Sequence, residues 1–328
     1  MISPTLADYG WNAFFHAQLT AEDTYAALPA RVMGVHRNAL DIAGPEFCGP
    51  VLPAAPDGAT ATVGDWLLID RTTHKIVRVL ERHNVIRRRA AGREAELQLI
   101  AANVDTLFIV SSCNLEFNIA RLERYLALAR EAQILPVLLL TKSDLVPDAY
   151  DYAKRGRVLM RGLHVETMDG RDDCVRKILT PWMGRGQTIA VLGSSGVGKS
   201  TLVNTLSCSE TQSIAGIREG DSRGRHTTTK RSLHRLPGGA WLIDTPGMRE
   251  LQLAGVEDGI RAMFDEIETL AGACRYADCT HQSEPNCAVQ AAIAAGDLDP
   301  IRLERRTKLL LEDARNSQTI WERHQQER

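Results

Sequence analysis

No run in this 328-residue sequence approaches the roughly 18–20 consecutive apolar residues that a membrane-spanning helix needs. The N-terminal MISPTLADYGWNAFFHAQL lacks the basic stretch and apolar core of a secretory signal, so a cytoplasmic protein with no membrane partner is expected. A basic surplus is missing too: 39 Lys+Arg against 41 Asp+Glu leave a formal net charge of −2. Bulk charge therefore does not announce nucleic acid, and any RNA contact must rest on local clusters. Cysteine is sparse and unevenly spread. Cys48, Cys113, Cys174 and Cys208 stand alone, which excludes a disulfide framework and sets the other three apart as one local group. Internal repeats and low-complexity segments are absent. What remains is an ordinary apolar share of 44%, enough for two or three folded domains.

The texture of the chain changes twice. After an irregular or partly helical lead (1–30), PARVMGVHRNALDIA, TATVGDWLLID and HKIVRVLERHNVIRR are short strand-like runs separated by glycine and proline. Runs of this kind over about 60 residues predict a small all-β barrel of the five-stranded OB type. Near residue 100 the pattern turns α/β. NVDTLFIVSS, PVLLLT, HVET, TIAVLG and AWLIDTPG read as strands, and Asn118 as the cap of a helix whose inner face carries Ile119, Leu122, Leu126 and Ala129. Strands alternating with helices predict a parallel sheet covered on both faces. Beyond about 255 the chain is helical again, with one helix closed by Gly296 and a last one entered through Asp299 and Pro300. The expected fold class is a multidomain α/β protein. Its expected parts are residues 1–95 (lead and barrel), 96–255 (nucleotide domain) and 256–328 (a helical metal-binding domain).

The chemistry sits in four short segments. GSSGVGKS supplies Gly193, Ser194, Ser195, Gly196, Val197, Gly198, Lys199 and Ser200 between a strand and a helix entered at Thr201. The glycines allow backbone N–H groups to turn around phosphate oxygens, Lys199 neutralises β/γ charge, and the Ser200 hydroxyl ligates Mg²⁺. DTPG follows a strand: Asp244 holds Mg²⁺ through water and Gly247 offers an N–H to a γ-phosphate. Between them GRHTTTK carries three threonines, any of which can sense Mg²⁺ in the triphosphate state. TKSD (Thr141, Lys142, Ser143, Asp144) ends a buried strand. Asp144 matches the N1–H and exocyclic amine of guanine, a donor pair that adenine lacks, and the Lys142 stem can pack on the base. An asparagine is commoner at position 141, and the Thr141 hydroxyl offers fewer tethers to the loop. For the guanine O6, the region around Thr167 and Met168 is a weak candidate. Finally, Cys274-x4-Cys279-x-His281-x5-Cys287 is a closed set of three thiolates and an imidazole, the pattern of a structural Zn²⁺ site.

In an ordinary GTPase the phosphate loop precedes the base reader, whereas here TKSD comes first. That order, with GRHTTTK, DTPG, the Cys/His cluster and the leading β-domain, resembles the circularly permuted, small-ribosomal-subunit-dependent GTPases (GTPase A, the RsgA/YjeQ type). YGWNAFF and ANVDTLFIVSS share in the resemblance. It implies GTP hydrolysis stimulated by the 30S subunit during late maturation, with 16S rRNA contacts, one Zn²⁺, and Mg²⁺ with GTP or GDP; nothing in the sequence demands a dimer, so a monomer is expected. It also assigns Thr228 as the Mg²⁺-sensing threonine and His226 as the residue that orients water, in place of the glutamine that Met248 displaces; a switch-loop or rRNA contact is the alternative for His226. Two arginine clusters are candidates for RNA: Arg87, Arg88, Arg89 and Arg93 at the end of the β-domain, and Arg302, Arg305 and Arg306 on the last helix. The competing reading from another class is an RNA-binding scaffold with guanine nucleotide as a static ligand; an ATP-dependent enzyme is a third.

Overall fold

The first β-rich segment folds as its alternation dictates. A computed structural model describes residues 3–53, 58–89, 97–207, 231–244 and 255–317. In it β1 (Ala27–Val35), β2 (Leu40–Ala43), β3 (Cys48–Val51), β4 (Trp66–Asp70) and β5 (Ile76–Val79) form an antiparallel array in the order β3-β2-β1-β4-β5. Successive side chains on a strand face opposite ways. On β4, Leu67 and Ile69 therefore join Leu28, Ala30, Val32, Leu40 and Ile42 in one core, while Trp66 and Leu68 point to the other face. That second face is covered by the N-terminal lead, where α1 (Ala13–His16) and α2 (Ala21–Ala26) are each started by a side-chain cap, Asn12 and Thr20. Phe15 and Trp11 both pack against Trp66. A separate hairpin, β6 (Val85–Arg89) with β7 (Leu97–Ala102), bridges to the next unit.

The nucleotide-domain sheet runs β10-β9-β8-β11-β13-β12. Its strands are β8 (Thr106–Ser112), β9 (Leu135–Thr141), β10 (His164–Thr167), β11 (Thr188–Leu192), β12 (Arg231–Arg235) and β13 (Trp241–Asp244), all parallel to their neighbours except β12. Every residue of β8 is buried, as a strand covered on both faces requires. Leu107 and Ile109 pack toward α3 (Ile119–Glu131), and Phe108 and Val110 toward α6 (Lys199–Ser207). The helices α4 (Ala149–Arg157) and α5 (Cys174–Leu179) complete the two layers. Asn118 caps α3 as expected, its Oδ1 accepting the Arg121 N–H at 3.0 Å.

Two links join the β-array to this sheet. The end of β1 pairs with β12, Gly34 opposite Ser232, so one sheet runs through both units. Beneath it lies Arg31, 1% exposed, whose guanidinium donates to the Tyr9 carbonyl at 2.5 Å and to Thr188 Oγ1 at 2.8 Å. The Gly64 and Asn103 carbonyls also accept from it; burial pulls its pKa down to about 10, so it stays charged at neutral pH among partners from four segments of chain. Trp241 on β13 stacks on Tyr9 at 5.6 Å and donates its indole N–H to the Asp8 carbonyl at 2.7 Å. The YGW segment is thus a fastening for the foot of the nucleotide domain.

Of the C-terminal helices α7 (Glu257–Met263), α8 (Asp265–Ala271), α9 (Ala288–Ala295) and α10 (Pro300–Ser317), α7 and α10 dock on α3, and α8 and α9 pack against each other in the same core. Gly259 is the point of closest approach: a Cβ there would lie 2.2 Å from the Ala127 carbonyl oxygen, and its N–H donates to Glu131 Oε2 at 2.7 Å. Gly296 ends α9 at φ 83°, the left-handed turn that glycine adopts freely. Among the described residues, no helix is long and apolar enough to cross a membrane.

The arginine cluster proposed from sequence on the last helix is not a free basic face. Arg302 is paired with Glu266, Arg305 with Glu123 and Arg306 with Glu268, and the Arg302 and Arg306 side chains are only 13% and 11% exposed. These arginines brace helix against helix. In the other cluster Arg87 is exposed, the Arg88 and Arg89 side chains are not described, and Arg93 lies outside the described residues.

Candidate functional site

The strand order explains how two motifs so far apart in sequence meet. β9 and β11 are the two neighbours of β8, so the loops leaving their carboxyl ends emerge side by side at one edge of a parallel sheet. That edge is where open α/β sheets bind ligands.

The loop after β11 follows its glycines. A Cβ on Gly193 would lie 2.3 Å from the Val110 carbonyl oxygen, so only glycine allows the loop to turn so close to β8. Gly196 (φ 78°) and Gly198 (φ 90°) take left-handed conformations that side chains resist. Between them Val197 is fully buried and pins the loop to the core, while Ser194 is half-buried and Ser195 exposed. Lys199, Ser200 and Thr201 form the first turn of α6 and are partly buried. Lys199 Nζ donates to the Ser194 carbonyl, so the ammonium lies back across the loop.

The TKSD loop is fastened to this one at two points. Thr141 Oγ1, 2% exposed as a residue, lies 2.6 Å from the Val197 carbonyl oxygen and 3.1 Å from that of Ser111. One proton serves the two acceptors, and the shorter contact defines the bond. Lys142, at φ 58°, donates from Nζ to the Gly196 carbonyl at 2.8 Å. The Thr141 hydroxyl therefore ties the end of β9 to the glycine loop through its single proton, with the Ser111 carbonyl as the longer contact. Ser143 and Asp144 sit in a short 3-10 turn (Ser143–Leu145), and the Ser143 N–H donates to the Met168 carbonyl at 3.3 Å. Met168 itself is buried and its N–H bonds to Leu140, so it does not present an N–H to a ligand. Asp144 carries a contact that the sequence does not announce, since Arg171 Nη2 donates to its Oδ2 at 2.8 Å.

Asp244 ends β13, which is in parallel register with β11; its backbone is placed there and its side chain is not described. His226, Thr228 and Gly247 lie outside the described residues.

The second centre brings together the four residues singled out from spacing. The ligand atoms of Cys274, Cys279, His281 and Cys287 all lie within 4.8 Å of one another. Cys274 Sγ is 3.8 Å from Cys287 Sγ, and His281 Nδ1 is 3.7 and 3.5 Å from those sulfurs. A tetrahedron with metal–sulfur bonds of about 2.3 Å has edges of about 3.8 Å, so the donor set fits one small metal ion. Cys287 also caps α9, and Gln290 Nε2 holds the His281 carbonyl at 2.5 Å. Burial keeps the His281 imidazole below its ordinary pKa, which favours the neutral, ligating form.

A parallel sheet in which the loop after β9 is tied to the glycine loop after β11, preceded by an antiparallel β-array and followed by a Cys₃His cluster, is the architecture of the circularly permuted GTPases. The solved structures agree: YjeQ from Thermotoga maritima superposes with a TM-score of 0.65 at 21% identity, over 87% of this chain and 98% of that one. YloQ, described as a circularly permuted GTPase, gives 0.63 at 20% identity, over 92% and 99%. The family model for the RsgA GTPase matches residues 79–254. Among curated relatives, the small ribosomal subunit biogenesis GTPase RsgA of Mesorhizobium japonicum is 52% identical over 96% of this chain and 92% of its own. The small ribosomal subunit biogenesis GTPase RsgA 2 of Vibrio vulnificus is 49% identical over 97% and 90%. The chain belongs to the RsgA GTPase family.

Proposed function

We propose that this protein hydrolyses GTP as a checkpoint in the late maturation of the small ribosomal subunit, and that the 30S particle stimulates the reaction. The observation that carries the reading is the double fastening of Thr141 and Lys142 to Val197 and Gly196, because a base reader and a phosphate cradle locked together have the geometry one guanine nucleotide requires. In this reading Asp144 pairs with the guanine edge and the Lys142 stem lies along the base. Residues 193–199 surround the phosphates with backbone N–H groups, and the positive end of α6 faces them. Lys199 exchanges the Ser194 carbonyl for a phosphate oxygen. Ser200 and Thr228 would hold Mg²⁺, with Asp244 reaching it through water; Gly247 would offer its N–H to the γ-phosphate, and His226 would orient the attacking water. Mg²⁺ supplies charge neutralisation on the β- and γ-oxygens.

The Cys₃His cluster is read as a structural Zn²⁺ site, since three thiolates and an imidazole in a closed set match that ion's preferences and leave no open position. The antiparallel array β3-β2-β1-β4-β5 is read as an OB-type barrel, a fold suited to 16S rRNA. The domains are taken as 1–95, 96–255 and 256–328, in a cytoplasmic monomer.

Single-turnover hydrolysis of GTP with and without purified 30S subunits tests the proposal. A rate rising at least tenfold with 30S is the expected result. Tight GTP binding with no stimulation favours instead an RNA-binding scaffold that carries nucleotide as a static ligand.

A further inference from the structure

Asp144 has a partner inside the protein that competes for the same chemistry as the base. Arg171 lies in the loop between β10 and α5, far from TKSD in sequence, yet its Nη2 is 2.8 Å from Asp144 Oδ2. The same guanidinium forks onto Asp169, with Nε 3.0 Å from Oδ1 and Nη2 2.9 Å from Oδ2. Guanine presents its N1–C2–N2 edge as a planar guanidine fragment. Its pairing with an aspartate is therefore a guanidine–carboxylate pairing, the bond that Arg171 already makes.

Three features argue that Arg171 competes with the base and does not serve to hold Asp144 in place. First, the backbone that carries Asp144 is positioned without it: the 3-10 turn is closed by Leu145 N–H to the Lys142 carbonyl at 3.2 Å and tied to the end of β10 through Ser143 N–H and the Met168 carbonyl. Second, the Arg171 side chain is 66% exposed, against 28% for Asp144, so it is the member free to swing away. Third, Asp169 gives the departing guanidinium a carboxylate to keep, and Asp169 Oδ1 also accepts the Arg171 N–H at 3.0 Å, so the loop retains its shape. Release from Asp144 costs one contact of a bridging pair.

We propose that Arg171 sets guanine-nucleotide affinity by competing with the base for Asp144, weakening binding and hastening release by recapturing the carboxylate as the base leaves. This rests on the reading of Asp144 as the guanine reader. An exposed pair of this kind changes an equilibrium about two- to fivefold.

The test measures equilibrium binding and dissociation of N-methylanthraniloyl-GDP with the full chain. Arg171→Ala and Arg171→Met, the second retaining most of the stem, are expected to bind about two- to fivefold more tightly, with slower dissociation. The gap from the parent chain is expected to narrow near about 0.5 M KCl, where exposed pairs are screened. Unchanged or weaker binding by both variants at low salt overturns the proposal. Asp144→Asn tests the underlying reading separately by exchanging a preference for GDP for one for XDP. In that background, with XDP as ligand, adding Arg171→Ala is expected to change affinity by less than about 1.5-fold, since the competing carboxylate is gone. Retained preference for GDP in Asp144→Asn overturns the assignment of Asp144 and the proposal with it.

Discussion

The hydroxyl of Thr141, at the end of β9, lies 2.6 Å from the carbonyl oxygen of Val197, in the glycine loop after β11. The two residues are far apart in the chain, but β9, which Thr141 ends, and β11, which the glycine loop follows, flank β8. A one-atom donor on a branched side chain has few χ1 rotamers and fills little space, which suits a contact beside Gly198, where an added Cβ would stand 3.4 Å from Thr141 Oγ1. Thr141→Val keeps the shape and removes the donor, leaving a buried carbonyl short of a partner, a loss of about 1–3 kcal/mol. The expected outcome is a fall in thermal stability together with GDP binding at least about fivefold weaker. Isothermal titration with GDP checks it; parent-like affinity in a folded Thr141→Val protein rules out a role for this tether in binding.

Metal removal is expected to act locally. The clip (274–287) joins α8 to α9, while α7 and α10 are anchored on α3 by bonds of their own. Cys287→Ser is expected to lower bound zinc, measured by elemental analysis, from about one per chain toward zero, since a structural site needs its full set of four ligands. Proteolytic cleavage within the clip is expected to follow, while GDP affinity stays within about twofold of the parent. Loss of nucleotide binding in that variant is the result that refutes a local, structural role.

Gly259 permits the close crossing of α7 on α3, so Gly259→Ala is a test of how the C-terminal helices are held. The new methyl meets the Ala127 carbonyl and the Glu131 backbone, neither of which is a flexible side-chain end. Overpacking of this kind costs about 1–3 kcal/mol. A lowered melting temperature and faster trypsin release of the C-terminal segment are expected, and unchanged values of both count against the crossing as a stabilising contact.

Much of the fold was legible because the signals are local: alternation in the β-rich segment, uninterrupted apolar strands in the nucleotide domain, Asn118 and Gly296 at helix ends, glycines where the backbone turns beside β8. The Cys₃His cluster was legible because its ligands are close in sequence and few residue types bind metal. What escaped was non-local pairing. Arg31 reads as a lone charge in a strand until Tyr9 and Thr188 are brought to it. Arg171 sits in a polar loop, and nothing in its neighbourhood points to Asp144. The arginines of α10 read as an RNA face because their carboxylate partners, Glu123, Glu266 and Glu268, are on other helices.

That last correction is testable at one pair. The Glu123 side chain is 2% exposed and its pKa is raised, with burial the main cause and Arg305 the chief opposing influence. A carboxylate whose folded pKa lies above its unfolded value contributes stability that is present below the unfolded value, near about 4.3, and lost as pH rises through the folded one. Arg305→Ala removes the compensating charge and raises the Glu123 pKa further. The variant is therefore expected to be about 1–2 kcal/mol less stable than the parent at pH 7.5, less than the full cost of breaking a buried pair because Arg305 is 30% exposed. The deficit should shrink when the pH is lowered to 5, the direction in which Glu123 takes up its proton. Urea unfolding of both proteins at the two pH values measures it. A deficit that does not depend on pH, or no deficit alongside weakened, less salt-sensitive binding to 30S subunits, would return Arg305 to the role of an RNA contact.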